Sequence, residues 1–309
     1  MTVRVAVLIT TMKRPRLLRQ LLSALDSLAF TGDPPQLQIV VTDNDPDRSA
    51  EPICEELRTS LRWPLRYVSE PRRGIPFARN AAVRAAVGDH DFVAFIDDDE
   101  VPTRQWLDEL LKLQQRLDAD VVAGPVESVM PADSPRWATA GKVFEHTRYQ
   151  TGSSIDACAT NNVLIRCASL QQMDSWFDER MALTGGSDRH FFLRMNGDGR
   201  RMVWCDEALV TEEVPESRVK IRWVVARMYR QGINRGFCDI DLERSAFPRL
   251  RAAVLGTAYI GGGLGLLPVG AVTGSHRLVQ YARYAAYGVG LLQSCRGKFY
   301  QEYRDLHGS

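Results

Sequence analysis

The run Asp97, Asp98, Asp99, Glu100 places four carboxylates side by side directly behind the apolar segment Phe92, Val93, Ala94, Phe95, Ile96. Adjacent like charges disfavour one another's ionised form, so a cation belongs there. With oxygen donors only and no Cys or His close by in sequence, a hard divalent ion fits, Mg2+ or Mn2+, which keeps positions open for substrate phosphates. A solvated acidic turn is the alternative, but the end of a strand is where open α/β sheets bind ligands. A second acid, Asp188, follows Thr184, Gly185, Gly186 and Ser187 and precedes Phe191, Phe192 and Met195. The two glycines leave room for a ligand close to the backbone, and Asp188 stands near a helix start, as a base or simply as an N-cap.

These acids need a scaffold, and the first hundred residues supply one. Residues 3–10 form an apolar, β-branched run that reads as a strand buried on both faces. Its turn, Thr10, Thr11, Met12, Lys13, Arg14 and Pro15, leads into Leu17, Leu18, Leu21, Leu22, Leu25 and Leu28 at helical spacing. Residues 38–41 make a second strand ending in the polar turn Thr42, Asp43, Asn44, Asp45, Pro46, so Asp43 is a candidate ligand. A loosely helical stretch over 51–61 leads to a third strand at 65–68 and the basic turn Arg72, Arg73, Gly74. A helix over 77–86 carries Arg79 and Asn80 near its start, and the Phe92 strand follows. Four alternations of strand and helix predict a doubly wound parallel sheet. Trp106–Leu117 adds an amphipathic helix, and a strand over 120–123 is stopped by Gly124 and Pro125.

In order and separation, these features resemble a family 2 glycosyltransferase of the GT-A fold over roughly the first 230 residues: the opening strand with Thr10, Thr11 and Arg14, the strand-end Asp43, the segment from Arg73 and Gly74 through Arg79 and Asn80, and the acidic triplet beginning at Asp97. The resemblance implies a nucleotide-diphosphate sugar as donor, UDP-linked by family preference, with Asp43 near the base or ribose. It makes Asp97 and Asp99 the acidic ends of the DxD element: Asp99 holds the metal, Asp97 lies at the ribose or metal, and Asp98 is on the donor side. Asn161 and Asn162 fall near the acceptor or donor sugar, beside Gly185 and Gly186. Residues 134–150, without clear period and carrying Trp137, Phe144 and Tyr149, read as a loop region able to line a sugar site. Asp188 is the expected base, although Ser187 stands where the family usually has a first acid. A base there would take a proton from an acceptor hydroxyl as its oxygen attacks the anomeric carbon, with inversion.

Strands are expected over 203–206 and 208–210. Glu212 and Glu213 follow where the family often carries a metal-reaching His, and Glu213 is the candidate substitute. Val219 to Trp223 resembles the QxxRW element of processive synthases with Val219 in place of Gln, which implies single-sugar addition. Trp223 is placed with the acceptor, and Arg227 and Arg230, on one helix, are placed at the diphosphate.

The last eighty residues differ in kind. Residues 252–273 carry no charge and are long enough to cross a bilayer, yet Gly256, Gly261, Gly262, Gly263, Gly265, Gly270 and Pro268 make them a poor uninterrupted helix. Arg244, Arg249 and Arg251 precede them and Arg277 and Arg283 follow, which puts both ends on the cytoplasmic side. The expectation is a re-entrant or interfacial hairpin with a second arm over 278–292. Its anchors would be Tyr281, Tyr284, Tyr287, Arg296, Lys298, Phe299, Tyr300 and Tyr303. A buried helical pair packed on the catalytic domain or on a second subunit is the alternative, so a homo-oligomer stays open.

The expected organisation is thus a catalytic domain over 1–235 and a helical, membrane-associating region over 236–309, on the cytoplasmic face of the membrane and facing a lipid-diphosphate-linked saccharide acceptor. A chain of 309 residues with 45% apolar content and net charge +1 gives no reason to expect nucleic acid. Six cysteines without pattern argue against a zinc site or a disulfide framework, and Arg4 breaks any early signal-like run. Two rivals remain. A nucleotidyltransferase would open with a Gly-rich loop that residues 10–15 lack, and a non-catalytic sugar-binding or membrane scaffold would have no reason to keep the Asp97 cluster together with Asp188.

Overall fold

The computed structural model describes residues 2–182 and 184–296. Lys298, Phe299, Tyr300 and Tyr303, named among the interfacial anchors, lie outside the described residues. The chain opens with β1 (Arg4–Thr11), α1 (Pro15–Asp26), β2 (Gln36–Asp43), α2 (Glu51–Leu57), β3 (Leu65–Ser69), α3 (Ile75–Ala86) and β4 (Phe92–Ile96), the alternation the sequence predicts. It continues with β5 (Glu100–Pro102), α4 (Trp106–Leu117), β6 (Val121–Ala123), β7 (Val126–Val129), α5 (Arg136–Thr139), β8 (Asn162–Arg166) and α6 (Cys167–Gln171). A single 3-10 turn at Glu179–Met181 precedes α7 (Ser187–Gly197), β9 (Met202–Trp204), β10 (Val210–Glu213), α8 (Ile221–Asp241), α9 (Pro248–Thr273) and α10 (Ser275–Ser294).

Seven strands form the main sheet in the order β3-β2-β1-β4-β8-β6-β9. The sheet is mostly parallel, with β8 running against both neighbours, β4 and β6. The connection from β6 stays over the C-terminal edge of the sheet, so the chain re-enters from that edge and must run the other way. Within β1 the pleat splits the side chains, with Val5, Val7 and Ile9 in a core shared with α1 and α4, and Ala6 and Leu8 in a core shared with α3 and α7. A small second sheet, β5-β10-β7, stands beside the acidic turn. The closing strand expected over 208–210 forms instead at Val210–Glu213, as the centre of that second sheet.

The register fixes where chemistry can happen. Thr11 pairs with Asp43, Ile96 with Asn162, and Ala123 with both Val163 and Trp204. The last residues of β1, β2, β4, β6 and β9 and the first of β8 therefore share one edge of the sheet.

The apolar segment departs from expectation, because α9 is continuous through its glycines and Pro268. Gly256, Gly263 and Gly270, seven apart, face α10, where an added Cβ would meet Gly288 O at 2.9 Å, Ala285 N at 2.6 Å and Leu278 Cα at 2.8 Å. Close backbone packing along this stripe offsets the poor helix propensity of glycine. The helix is long and apolar enough to cross a membrane, and only 17% of its most apolar window is buried.

Candidate functional site

A cavity of about 730 Å³ opens along that sheet edge. Thr10, Thr11, Arg14, Asn44, Arg79 and Asp97 to Glu100 line one side, Asn161, Asn162, Gly185, Gly186, Ser187 and Asp188 another, and Glu212, Arg218, Trp223, Arg227 and Arg230 a third.

The three aspartates behind β4 are not equivalent. Asp98 turns inward, accepting from Thr11 Oγ1 at 2.6 Å and from Arg14 Nη1 at 3.0 Å. Arg14 also donates to Asp99 Oδ2 at 3.0 Å, and Arg218 Nη2 lies 3.7 Å from the same oxygen. Asp97 opens on the cavity with 39% of its side chain exposed, and Arg79 Nη2 stands 3.9 Å away. Glu100 is buried and accepts from the Asp97 backbone N–H at 2.9 Å.

Desolvation inside the cleft pushes Asp97 up to about 7; Arg79 pulls it back, while Asp99 and Asp98 push it further. Burial likewise raises Asp98 to about 6, against Arg14. Glu100 is driven well above the ordinary range by burial and by Asp97, and Glu212 is raised by burial and by Asp99. Arg14, Arg79 and Arg218 stand against these acids and Arg227 also acts on Glu212, yet desolvation and mutual repulsion still raise Asp97, Asp98, Glu100 and Glu212, and the donors are all hard oxygens. The cluster therefore fits a divalent cation, for which Asp97, Asp99 and Glu212 would be the ligands.

Glu212 takes the place expected for Glu213. Successive residues of β10 point to opposite faces, which turns Glu213 outward and exposed, while Glu212 accepts from Arg218 Nη1 at 2.5 Å. Arg218 escaped the sequence reading, since a lone arginine before Lys220 carries no signal without the fold.

Asp43 does not line the cavity. Its carboxylate accepts from Asp45 N at 3.0 Å, Ala50 N at 2.8 Å and Tyr67 Oη at 3.1 Å, which locks the turn after β2. Asn44 lines the cavity instead; its amide donates to Glu70 O at 2.8 Å and Arg72 O at 2.7 Å, and its oxygen accepts from Gly74 N at 2.9 Å. Arg73, Gly74 and Asn80 also lie outside the lining. Gly74 has φ +142° with Ala182 against it, so a side chain there is strained and crowded. Asn80 clamps Phe177, donating to its O at 2.9 Å and accepting from its N at 3.0 Å.

Asn162 reaches the cavity but its amide is engaged: Oδ1 accepts from Trp106 Nε1 at 2.7 Å, and Nδ2 donates to Pro125 O at 2.8 Å and Ala208 O at 2.7 Å. Asn161 lines the cavity beside it.

On the facing wall, Gly186 caps α7 with φ +83°, and a Cβ there would meet Asn234 Cγ of α8 at 2.8 Å. Glycine is thus required by both conformation and space. Asp188 lies in the first turn of α7 rather than at its cap, facing the cavity, and accepts from Arg189 N at 2.7 Å. Arg79 Nη1 lies 3.5 Å from Ser187 Oγ, so one guanidinium ties Asp97 to the start of α7. Trp223 stacks on Phe144 at 6.0 Å, and the guanidiniums of Arg218, Arg227 and Arg230 stand 5.8, 5.4 and 6.0 Å from its ring centroid.

The glycosyl transferase family 2 model matches residues 6–173. The chain belongs to glycosyl transferase family 2. A relative in Rhizobium meliloti, the succinoglycan biosynthesis protein ExoM, is 32% identical over 76% of this chain and 75% of its own. Among solved structures, S. aureus TarS 1-349 covers 96% of this chain and 93% of its own at 18% identity and TM-score 0.53. The mannosyltransferase PcManGT of Pyrobaculum calidifontis, in complex with GDP-Man and Mn2+, covers 94% and 87% at 20% identity and TM-score 0.60. The fold is the GT-A type of those neighbours and the chain is a family 2 glycosyltransferase. A second acidic group of this glycosyltransferase, Asp178, His190 and Asp241, is already bridged by Arg180, which donates to Asp178 at 2.6 Å and Asp241 at 3.0 Å.

Proposed function

We propose that this glycosyltransferase is inverting and metal-dependent, transferring one sugar from a UDP-sugar to a lipid-diphosphate-linked saccharide during assembly of a surface polysaccharide or glycolipid. One observation carries the reading: under-compensated carboxylates and Asp188 face each other across a single cavity. The relative named for succinoglycan biosynthesis supports the polysaccharide context. The neighbours in complex with UDP-GlcNAc and with GDP-Man and Mn2+ support a nucleotide sugar and a divalent ion.

In this reading, Thr10, Thr11, Arg14 and Asn44 bound the nucleotide side, with Asp43, Arg73, Gly74 and Asn80 shaping the wall behind them. Asp188 accepts the proton of an acceptor hydroxyl while that oxygen bonds to the anomeric carbon and the bond to the diphosphate breaks, its electron pair leaving with UDP. Arg218, Arg227 and Arg230 oppose the charge gathering on the diphosphate. Mg2+ or Mn2+, held by Asp97, Asp99 and Glu212, would supply Lewis-acid neutralisation of that same charge.

The catalytic unit, whose last helix α8 runs unbroken past the expected boundary at 235, works at the cytoplasmic membrane surface, to which the helical pair after it, through the exposed apolar face of α9, attaches it. The test is titration calorimetry with UDP, GDP and dTDP, with and without Mn2+. Metal-dependent binding of UDP, lost in Asp99→Ala, is expected; no binding of any nucleotide to folded protein would overturn the donor assignment.

A further inference from the structure

Resting on that reading, a further feature of the cavity bears on the length of the acceptor. Trp204 ends β9, and β9 runs parallel to β6, β6 antiparallel to β8, and β8 antiparallel to β4. Trp204 and Asp97 therefore leave the sheet on the same side. Three strand spacings separate them, roughly 14 Å at about 4.8 Å each.

At that far end Trp204 meets Tyr149 edge to face, with centroids 5.4 Å apart and planes at 78°, and both rings line the cavity. The pair is held from behind. The Trp204 indole N–H donates to Asp206 Oδ1 at 3.2 Å, and Arg148 donates to both Asp206 carboxylate oxygens at 2.8 and 2.9 Å. Thr151 donates to Glu207 Oε2 at 2.5 Å and accepts from Asp206 N at 2.9 Å, and Gly152 N donates to Trp204 O at 2.8 Å. Tyr149 nevertheless keeps 47% of its surface exposed. Trp204, only 7% exposed, belongs to the core and backs the pair, so Tyr149 is the oriented ring in this polar cavity that offers a surface to the C–H face of a pyranose, whose hydroxyls stay wet at the rim.

We propose that Tyr149, held in place by Trp204 behind it, forms a subsite for the second sugar of the acceptor, counted from the attacked hydroxyl, so that the acceptor is at least a disaccharide. The spacing across the sheet supports this. Inverting displacement sets the diphosphate, the donor ring and the attacked ring in a row from the acid cluster, and the next ring along that row is the one that reaches β9.

The test is saturation-transfer NMR with methyl β-cellobioside and methyl β-lactoside against methyl β-glucoside and methyl β-galactoside, in the presence of UDP and Mn2+. Wild type should bind a disaccharide at least five-fold more tightly than either monosaccharide. Tyr149→Ala, altered at a half-exposed position, and Trp204→Leu, which keeps the core side filled, should lose that preference. Equal binding of all probes, or a preference that survives in both variants while UDP still binds, overturns the subsite alone. Failure of wild type to bind UDP, measured on the same samples, overturns the donor assignment and the subsite with it.

Discussion

Asp188 and His190 lie two residues apart on α7 and face different surroundings, and each makes a separate prediction. Asp188 opens on the cavity, so Asp188→Asn should lower kcat roughly 10²–10⁴-fold, the range for loss of a general base, while calorimetry finds UDP affinity within about two-fold of wild type. His190 is buried against Asp241 Nε2 to Oδ2 at 3.0 Å, with Asp178, Arg180, Arg194 and Phe237 around it. Burial holds it below its ordinary 6.5 despite Asp241. Below pH 6.5 the unfolded chain then takes up a proton that the folded one refuses, so stability present at neutral pH is lost as the pH falls toward the folded value. Urea unfolding between pH 7.5 and 5.5 should show a shallower decline for His190→Asn than for wild type; parallel curves would reject the assignment. Local pattern announced Asp188 and the acidic triplet because their neighbours are unusual. It misplaced Asp43 and Glu213, since whether an acid faces a cavity or a backbone turn depends on the register of β2 and β10, which no local pattern shows.

Helix α8 carries Trp223, Arg227, Arg230 and Asn234 on its cavity face and packs its other side against α10. The two helices approach through glycine: a Cβ on Gly232 would strike Tyr287 O, and one on Gly290 would strike Tyr229 O. Both obstacles are backbone, which cannot rotate away. Gly290→Ala should therefore cost about 1–3 kcal/mol, as overpacking does. Gly261→Ala meets nothing within 4 Å on the open side of α9 and should be neutral or stabilising by up to about 1 kcal/mol. Urea unfolding of detergent-solubilised protein reads both, and equal effects would refute the packing account. The same residues show why this region was only half legible. Composition revealed an apolar hairpin, but whether a glycine breaks a helix or seats it against a neighbour depends on its angular position relative to a partner that composition does not specify. The strand–helix alternation of the first hundred residues needed no such partner, because each element there is marked by its own period.

At the scale of the molecule, a polar, charge-lined cavity and a helix with a bare apolar face share one framework, joined through α8 and α10. Leu250, Val254, Leu264 and Val272 of α9 stand 62%, 59%, 54% and 84% exposed, too much contiguous apolar surface to leave in water without a partner. Arg249 and Arg251 flank Leu250 at the start of this face and Arg277 follows it, so cations stand at both ends of the apolar stretch. That arrangement suits a helix lying in an anionic interface, where apolar burial and charge attraction add. Wild-type protein should float with phosphatidylglycerol vesicles, less so with phosphatidylcholine and less at high salt. Val254→Asp combined with Val272→Asp should abolish flotation and leave UDP binding unchanged, since both residues are exposed and neither lines the cavity. A double variant that still floats would mean that another surface holds the membrane; one that loses UDP binding as well would mean that the hairpin supports the cavity wall through α8 rather than serving as an anchor alone.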